Sequence, residues 1–413
     1  MLEQLLRRGD RIVIGQACGE PTTLIEALIE QGPAIGDLSV FIASSFSGLF
    51  TPAATKSFAV SSMGAIGALR ALTAEHRLTV IPCHVGRIGS LIAAGTIGCD
   101  VAFIQVSAPN ARGEHSYGLI SDHVRTAVAT ARLVVAEVND QVPFTYGMTL
   151  PASAIDFSVE VSRTPVEVPP ARIGATDRAI AAHVAGFVED GSVLQVGVGA
   201  VPDAVLQLLT DRRDLGVHSG LVGDALVDLV EAGVVTNARK SIDTGVSVCG
   251  ALIGTRRLYA FADRNPALTM YPATYTHDAA VLARLERLVA INSAVEVDLT
   301  GQVNAEQSGD SYLGGTGGQA DFVRAGARSP GGRSVIALPS TARRGTVSRI
   351  TAALQGPVTT PRSDVDVVVT EFGAAELTGR SIPERARRLA AVAHPSFRDD
   401  LEREAIALAR RGY

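Results

Sequence analysis

The fold class is indicated most clearly by the stretch Asp190–Pro202, Asp-Gly-Ser-Val-Leu-Gln-Val-Gly-Val-Gly-Ala-Val-Pro. Its middle, Ser192–Val196, is a short run rich in Val and Leu, as expected of a strand buried on both faces of a parallel sheet. A glycine-rich loop follows, and a helix is predicted over Pro202–Leu209. Glycines at this place let backbone N–H groups approach a ligand at the start of a helix. The stretch therefore predicts an α/β fold with a candidate ligand loop at a strand end.

The same order of elements occurs near the N-terminus. There, Gly9–Gly15 resembles the first run and leads to a helix predicted over Pro21–Gln31. Strands are also predicted over Leu78–Pro82, Val101–Val106, Leu133–Val138, Leu288–Asn292, Ser334–Leu338 and Val365–Thr370, and a further helix over Asp224–Ala232. Because similar strings recur in the same order, we interpret the chain as two similar open α/β domains, a duplicated unit.

A proline-rich segment separates these two parts. Thr164–Pro170 contains three prolines, which remove backbone donors and fix φ, so it can form neither a helix nor a central strand. We interpret it as a linker between an N-terminal domain, residues 1–163, and a C-terminal domain, residues 171–413.

Composition excludes several classes of protein. The 413 residues are 46% hydrophobic, which excludes a disordered chain. A net charge of -5 and the absence of Trp argue against nucleic-acid binding. No uninterrupted apolar run is long enough for a membrane span, and the charged N-terminus does not resemble a signal peptide. The four cysteines form no CxxC pair and the eight histidines no metal-binding pattern, so we expect a cytoplasmic protein without a metal site.

A second glycine cluster, Gly314–Phe322, is a further candidate site. Four glycines within five residues cost folding entropy, and their N–H groups are suited to an oxyanion or a pyrophosphate. In contrast, Gly216–Gly220 only resembles the GxSxG elbow of serine hydrolases. Within this stretch, His218 and Ser219 are adjacent in sequence. The side chains of adjacent residues rarely point at each other in regular structure, so we do not expect them to act as base and nucleophile.

Several long strings then resemble the acetyl-CoA hydrolase/transferase family, especially its 4-hydroxybutyrate CoA-transferase branch. They are Val135–Pro143, Val196–Leu206, Gly315–Arg324, Val369–Gly373 and Ala393–Phe397. The resemblance runs nearly from end to end. It implies two similar α/β domains and a cleft between them that binds an acyl-CoA.

The resemblance also implies a reaction. In the family a glutamate attacks the thioester, passes through an anhydride to a glutamyl-CoA thioester, and a carboxylic acid then takes the CoA. CoA or acyl-CoA is thus a substrate, with no permanently bound cofactor, and we expect a homodimer. The residues that match CoA-contacting positions are Gly197, Val198, Gly199, Ala200, Val201, Val295, Gly317 and Gly318, of which Gly317 and Gly318 are also suited to an oxyanion.

This chain departs from the family at the nucleophile. The family pattern is Gly-x-His-Ser-Glu, whereas this chain has Gly216–Gly220, with Gly220 in the place of the glutamate. A covalent route through a carboxylate cannot operate without that carboxylate. Two further positions also differ from the family. His277 stands where the family tends to have Asn, and Asn110 stands where it tends to have Asp.

The sequence therefore predicts an acyl-CoA-dependent enzyme that transfers the acyl group to a small non-carboxylate acceptor or to water. Such direct attack needs a general base, and histidine is suited to that role. His277 is the first candidate and His218 the second, although the family pattern gives His218 a structural role; Glu371, at a strand end near the cleft, is an alternative acid or base. Two other functions stay open: a carboxylate CoA-transferase of the acetate or 4-hydroxybutyrate type that uses another carboxylate, and a catalytically silent acyl-CoA-binding protein.

Overall fold

Two parallel sheets organise the chain, and the helices pack around them. A computed structural model describes residues 2–411. The helices are α1 (Leu2–Leu5), α2 (Thr22–Ile35), α3 (Arg70–Ala74), α4 (Val85–Ala93), α5 (Val124–Thr130), α6 (Ala175–Ala185), α7 (Ala200–Gln207), α8 (Ala225–Glu231), α9 (Arg256–Ala262), α10 (Ala273–Thr276), α11 (Ala279–Leu282), α12 (Gln319–Arg328), α13 (Ile382–Ala391) and α14 (Pro395–Arg410).

The first half of the chain supplies the first set of strands. They are β1 (Arg11–Ile14), β2 (Leu38–Phe41), β3 (Phe58–Ser62), β4 (Leu78–Val80), β5 (Val101–Ser107), β6 (Glu114–Ser116), β7 (Leu133–Asn139), β8 (Tyr146–Gly147), β9 (Thr149–Pro151) and β10 (Phe157–Val161). Seven of them form one sheet in the order β10-β7-β5-β1-β2-β3-β4, with every neighbouring pair parallel. All seven residues of β5 and of β7 are buried, as the continuous apolar runs predicted.

The second half supplies the remaining strands. They are β11 (Val193–Val196), β12 (Gly216–Val217), β13 (Leu221–Val222), β14 (Ser247–Cys249), β15 (Ala251–Leu252), β16 (Leu268–Met270), β17 (Leu288–Ser293), β18 (Glu296–Asp298), β19 (Val303–Asn304), β20 (Gln307–Ser308), β21 (Ser311–Tyr312), β22 (Arg333–Ala337), β23 (Thr341–Ala342), β24 (Val347–Ser348), β25 (Ile350–Thr351), β26 (Val367–Thr370) and β27 (Gly373–Glu376). The second large sheet has the order β12-β11-β17-β22-β26-β27 and is parallel except for the final hairpin.

The predicted α/β class is confirmed, and the predicted elements differ from the observed ones mainly at their ends. Helix α2 continues to Ile35 although Pro33 lies inside it, because a proline near the last turn removes only one hydrogen bond. Helix α7 begins at Ala200, two residues before the predicted start, so that Pro202 lies in the first turn, where its missing N–H costs nothing. Residues 164–170 contain no helix or strand. The domain boundaries proposed from that segment stay a prediction.

Short strands and bridges connect the two halves. Strand β8 of the first half pairs with β16 of the second, and Gly64 forms a bridge with Gly315. One apolar cluster includes side chains of both large sheets, from Val106 on β5 to Leu194 on β11. The halves are therefore held in one arrangement, which fixes the loops at the carboxyl ends of their strands.

Among the helices of residues 2–411, none combines the length and the apolar character that a membrane span requires. The expected cytoplasmic location and homodimer stay predictions.

The core of the first sheet gives a stability prediction. Phe103 on β5 has no exposed surface. We expect Phe103→Ala to lower the free energy of unfolding by about 3–5 kcal/mol, since a large side chain is lost from a packed core. Urea denaturation measures this, with Ile406→Ala as a control because Ile406 is 54% exposed. Equal losses for the two variants would contradict the described core.

Candidate active site

A cavity of about 230 Å³ lies between the two halves, near the carboxyl ends of their parallel strands. Loops that follow β1, β2 and β3 supply Gln16, Ser44 and Met63, whereas the loop after β11 supplies Gly197 and Val198. Open parallel sheets bind ligands at this end of their strands, because the loops that leave the strands converge there. The two sheets therefore contribute opposite walls of one cavity.

His277 packs against Gly220 in the wall of this cavity. A Cβ atom added at Gly220 would lie 2.8 Å from Cε1 and 2.9 Å from Nε2 of His277. A Cβ added at Gly318 would lie closer still to Nε2. The imidazole thus occupies the space in which a side chain at position 220 would begin, and it fits only because both neighbours are glycines. Phe322 packs edge-on against the ring, with the centroids 4.9 Å apart.

The surroundings of His277 leave one of its nitrogens without a partner. Nδ1 lies 2.9 Å from Oγ1 of Thr276, whereas Nε2 has no hydrogen-bond partner among residues 2–411. Burial lowers the pKa of His277 to about 4, an effect to which the neighbouring His218 adds and which Asp122 opposes. The imidazole is therefore uncharged at neutral pH and able to accept a proton. This pKa is lower than the near-neutral value that a general base was expected to have.

His218 lies behind the cavity and does not line it. Its side chain is fully buried, and Nε2 lies 3.2 Å from the carbonyl oxygen of Thr276. Burial, followed by the charge of Lys240, lowers the pKa of His218 to about 4. Lys240 itself is buried and donates to the carbonyl oxygens of Val217 and Val246. This placement fits a residue that supports the loop before Gly220 rather than one that contacts a substrate.

The predicted CoA-contacting residues of the first glycine loop lie at the cavity and beside it. Gly197 and Val198 line the cavity, and Ala200 and Val201 form the first turn of α7. Gly199 has φ of 128° and ψ of 178°, a conformation that favours glycine, and nothing lies within 4 Å of a Cβ added there. The loop therefore presents open backbone at the start of a helix.

The second glycine cluster also reaches the cavity. Gly317 and Gly318 line it, and their backbone N–H groups have no hydrogen-bond partner in the described part of the chain. Unpaired N–H groups in the wall of a cavity are suited to an oxyanion. Val295 does not line the cavity; its N–H donates to the carbonyl oxygen of Asn304.

Glu371 and Asn110 lie away from the cavity lining. Glu371 accepts hydrogen bonds of 2.8 and 2.7 Å from the backbone N–H and the hydroxyl of Ser340. Asn110 accepts from the N–H groups of Arg112 and Glu114 within a turn. Both side chains are thus engaged in holding loops.

No motif in the sequence identified three polar residues that the cavity brings together, Gln16, Ser44 and Asp122. Ser44 Oγ donates to Gln16 Oε1 over 2.9 Å, and Gln16 Nε2 donates to Asp122 Oδ2. Burial would raise the pKa of Asp122, but the charge of His123 and hydrogen bonds from His123 and Gln16 together lower it. Asp122 is therefore ionised at neutral pH. Gln16 and Ser44 could have been identified from their positions, because each comes shortly after an apolar strand, β1 or β2. Parallel sheets place functional side chains at these strand ends.

Within residues 2–411, no group of three or more His, Cys, Asp or Glu side chains is arranged to hold a metal ion.

Comparisons with known proteins agree with this architecture. The model of the acetyl-CoA hydrolase/transferase N-terminal domain matches residues 2–170, and that of the C-terminal domain matches residues 254–405. The 4-hydroxybutyrate coenzyme A transferase of Clostridium kluyveri is 39% identical over 95% of this chain and 93% of its own length. The succinyl-CoA:cyclohexane-1-carboxylate CoA transferase of Geobacter metallireducens is 40% identical over 75% of this chain and 72% of its own.

Solved structures match along almost the whole chain. RipA from Yersinia pestis superposes with a TM-score of 0.93 at 35% identity, covering 98% of this chain and 95% of that one. The 4-hydroxybutyrate CoA-transferase from Porphyromonas gingivalis gives a TM-score of 0.84 at 33% identity, with 99% and 96% covered.

The two buried histidines make stability depend on pH. The pKa of each histidine is 6.5 in the unfolded chain and about 4 in the folded protein. Their contribution to the free energy of unfolding is therefore complete above pH 6.5 and is lost as the pH falls towards 4. The loss is on the order of 3 kcal/mol for each histidine. We expect His218→Gln to flatten the dependence of unfolding free energy on pH in this window. His183→Gln, at an exposed position, is the control; the same slope in both variants would contradict the described burial of His218.

Proposed function

The chain belongs to the acetyl-CoA hydrolase/transferase family, whose members act on CoA thioesters, and we propose that it transfers the acyl group directly from CoA to water or to a small acceptor with a hydroxyl or amine. No protein carboxylate takes part in the proposed reaction. His277 is the general base, and the cavity between the two sheets holds the thioester.

One observation carries this proposal: the imidazole of His277 occupies the space at Gly220. A nucleophilic side chain at position 220 would have to displace the ring, because its Cβ would lie less than 3 Å from two ring atoms. A glycine at 220 and a histidine at 277 thus belong to one packing arrangement. At this place the cavity wall presents a neutral nitrogen.

The proposed mechanism uses groups that face the cavity. Nε2 of His277 takes a proton from the acceptor as the acceptor's oxygen or nitrogen attacks the thioester carbonyl carbon. The N–H groups of Gly317 and Gly318 stabilise the resulting oxyanion. A base with a pKa of about 4 is weak, but the negative charge that forms beside it raises that pKa as the proton arrives. The carbon–sulfur bond then breaks, and the thiolate of CoA recovers the proton.

The glycine loop after β11 gives the CoA chain a route to the surface. A second cavity, of about 250 Å³, shares Val198 and Ile253 with the first and is also lined by Gly199 and Pro170. We propose that the pantetheine arm lies along this path, against the open backbone at Gly199. The opposite wall of the first cavity is apolar at Phe46 and Met63 and favours a short acyl group without charge.

A carboxylate CoA-transferase is the second candidate, and Asp122 is the observation that favours it. Among the described residues that line the cavity between the sheets, it is the only carboxylate. The names of several relatives are those of carboxylate CoA-transferases. However, the N–H of His123 and the amide of Gln16 each bind one oxygen of Asp122, so attack would break a buried hydrogen bond.

We expect His277→Asn to remove the proposed base while retaining the fold, since Asn is smaller than the imidazole. Thiol release from acetyl-CoA or butyryl-CoA should fall by about 100-fold or more, with little change in CoA affinity. Thiol titration and calorimetry measure the two quantities. His76→Asn, the same substitution at an exposed histidine, is the control. Unchanged turnover in His277→Asn would exclude this base; no turnover by the unmodified protein would favour a silent acyl-CoA-binding protein.

The geometry also predicts how a covalent route could be restored. Gly220→Glu alone should be destabilised by the clash with His277, whereas Gly220→Glu combined with His277→Asn gives the new side chain room. We expect only the double variant to form a CoA adduct that intact-mass spectrometry detects and hydroxylamine removes. The unmodified protein should form none. An adduct on the unmodified protein that is lost in Asp122→Asn would establish the carboxylate CoA-transferase reaction instead.

A further inference from the structure

The hydroxyl of Thr276 contacts Nδ1, the ring nitrogen of His277 that has a partner within the protein. Thr276 is the last residue of α10 and has no exposed surface. Its Oγ1 lies 2.9 Å from Nδ1 of His277 and 3.5 Å from the carbonyl oxygen of Pro272, four residues earlier in the chain. Because this hydroxyl is buried, its hydrogen bonds are made with these two groups rather than with solvent.

One placement of the hydrogen atoms satisfies both contacts of the hydroxyl. A carbonyl oxygen can only accept, so the O–H of Thr276 donates to Pro272, a bond that threonine side chains commonly form within helices. The hydroxyl oxygen then accepts, and Nδ1 of His277 carries the hydrogen. In the reverse placement the O–H would donate to Nδ1, and the oxygens of Thr276 and Pro272 would face each other without a hydrogen between them.

The cavity wall around Nε2 favours the same tautomer. The backbone of Gly318 approaches this nitrogen closely, since a Cβ added there would lie less than 3 Å from it. The N–H groups of Gly317 and Gly318 already have no hydrogen-bond partner in the described part of the chain. A hydrogen on Nε2 would add another unpaired donor to this wall, whereas a lone pair on Nε2 adds none.

From these contacts we propose that Thr276 is a positioning residue, which holds His277 as the tautomer with a hydrogen on Nδ1 and a lone pair on Nε2, an inference that rests on the proposed function. Only this tautomer can take a proton at the nitrogen that faces the cavity. When Nε2 takes the proton of the acceptor, the ring becomes a cation and its Nδ1–H becomes a stronger donor to Thr276. An interaction that strengthens as the reaction proceeds lowers the barrier.

His218 holds Thr276 from the other side. Nε2 of His218 lies 3.2 Å from the carbonyl oxygen of Thr276, which can only accept, so this nitrogen of His218 carries a hydrogen. The backbone of Thr276 is thus bonded to one buried histidine and its hydroxyl to the other. The structural role of His218 therefore extends to the residue that orients the proposed base.

The tautomer of His277 can be measured without substrate. NMR of the protein with ¹⁵N-labelled histidine distinguishes the two ring nitrogens by their couplings to the ring C–H protons, and the protonated nitrogen by its chemical shift. The signals of His277 are those that disappear in His277→Asn. At neutral pH we expect a hydrogen on Nδ1 in the unmodified protein and in Thr276→Ser, which keeps the hydroxyl. In Thr276→Val, which keeps the shape without the hydroxyl, we expect a mixture of the two tautomers.

Kinetics separate orientation of the base from support of the fold. With butyryl-CoA as the donor, we expect kcat for thiol release to fall about tenfold in Thr276→Val and to be restored in Thr276→Ser. The KM for butyryl-CoA should change less than about twofold in both variants. Thr130→Val is the matched control, because the hydroxyl of Thr130 also donates to a carbonyl four residues earlier, that of Thr126, at an exposed position on α5. This control should leave both the tautomer and kcat unchanged.

A hydrogen on Nε2 in the unmodified protein would overturn the proposal, as would the same tautomer in Thr276→Val as in Thr276→Ser. An unchanged kcat in Thr276→Val would also overturn it if His277→Asn lowers turnover. The proposed function fails separately, if the unmodified protein releases no thiol or if His277→Asn releases it as fast. The spectra then decide alone: a hydrogen on Nδ1 that Thr276→Val redistributes supports the positioning by Thr276, and one that it retains overturns it.

Discussion

The contact between His277 and Gly220 is the constraint on which the site depends. Because a Cβ at position 220 would lie within 3 Å of the imidazole, a histidine at 277 and a side chain at 220 exclude each other in this backbone arrangement. Gly318 is under the same restriction, because a Cβ there would also lie within 3 Å of the ring. Three residues from separate parts of the chain thus form one packing unit. Its chemistry is that of a neutral imidazole in a cavity wall.

The parallel sheets explain why these residues meet. Gly220 follows β12, His277 directly follows α10, and Gly318 directly precedes α12, so all three lie in loops or beside helix ends. The contacts between the two halves, such as the pairing of β8 with β16, hold those loops against the first sheet. A rigid arrangement of this kind allows the loops to change chemistry while the sheets keep their packing.

Much of the fold could be predicted from the sequence, because continuous apolar runs such as those of β5 and β7 have few alternatives to a buried parallel strand. The first glycine loop and the pair Gly317–Gly318 were likewise identifiable from glycine spacing and from the family resemblance. The order of strands and the distance between Gly220 and His277 were not, since the two residues are 57 positions apart and no local pattern relates them. Asp122 could not be identified for the same reason. It is linked to the cavity through its hydrogen bond with Gln16, a residue that follows a strand far from it in the sequence.

Isotope labelling distinguishes direct attack by water from a route through a protein carboxylate. The protein is kept in excess over butyryl-CoA in ¹⁸O-labelled water, so that each molecule turns over at most once. Mass spectrometry then measures the ¹⁸O content of the released butyrate, and a sample without protein gives the background of spontaneous hydrolysis. Direct attack by water activated at His277 predicts butyrate that carries one ¹⁸O atom. A route through a protein carboxylate transfers an oxygen of that side chain instead. Unlabelled butyrate in the first turnover, with ¹⁸O incorporated into the protein, would therefore exclude direct attack by water.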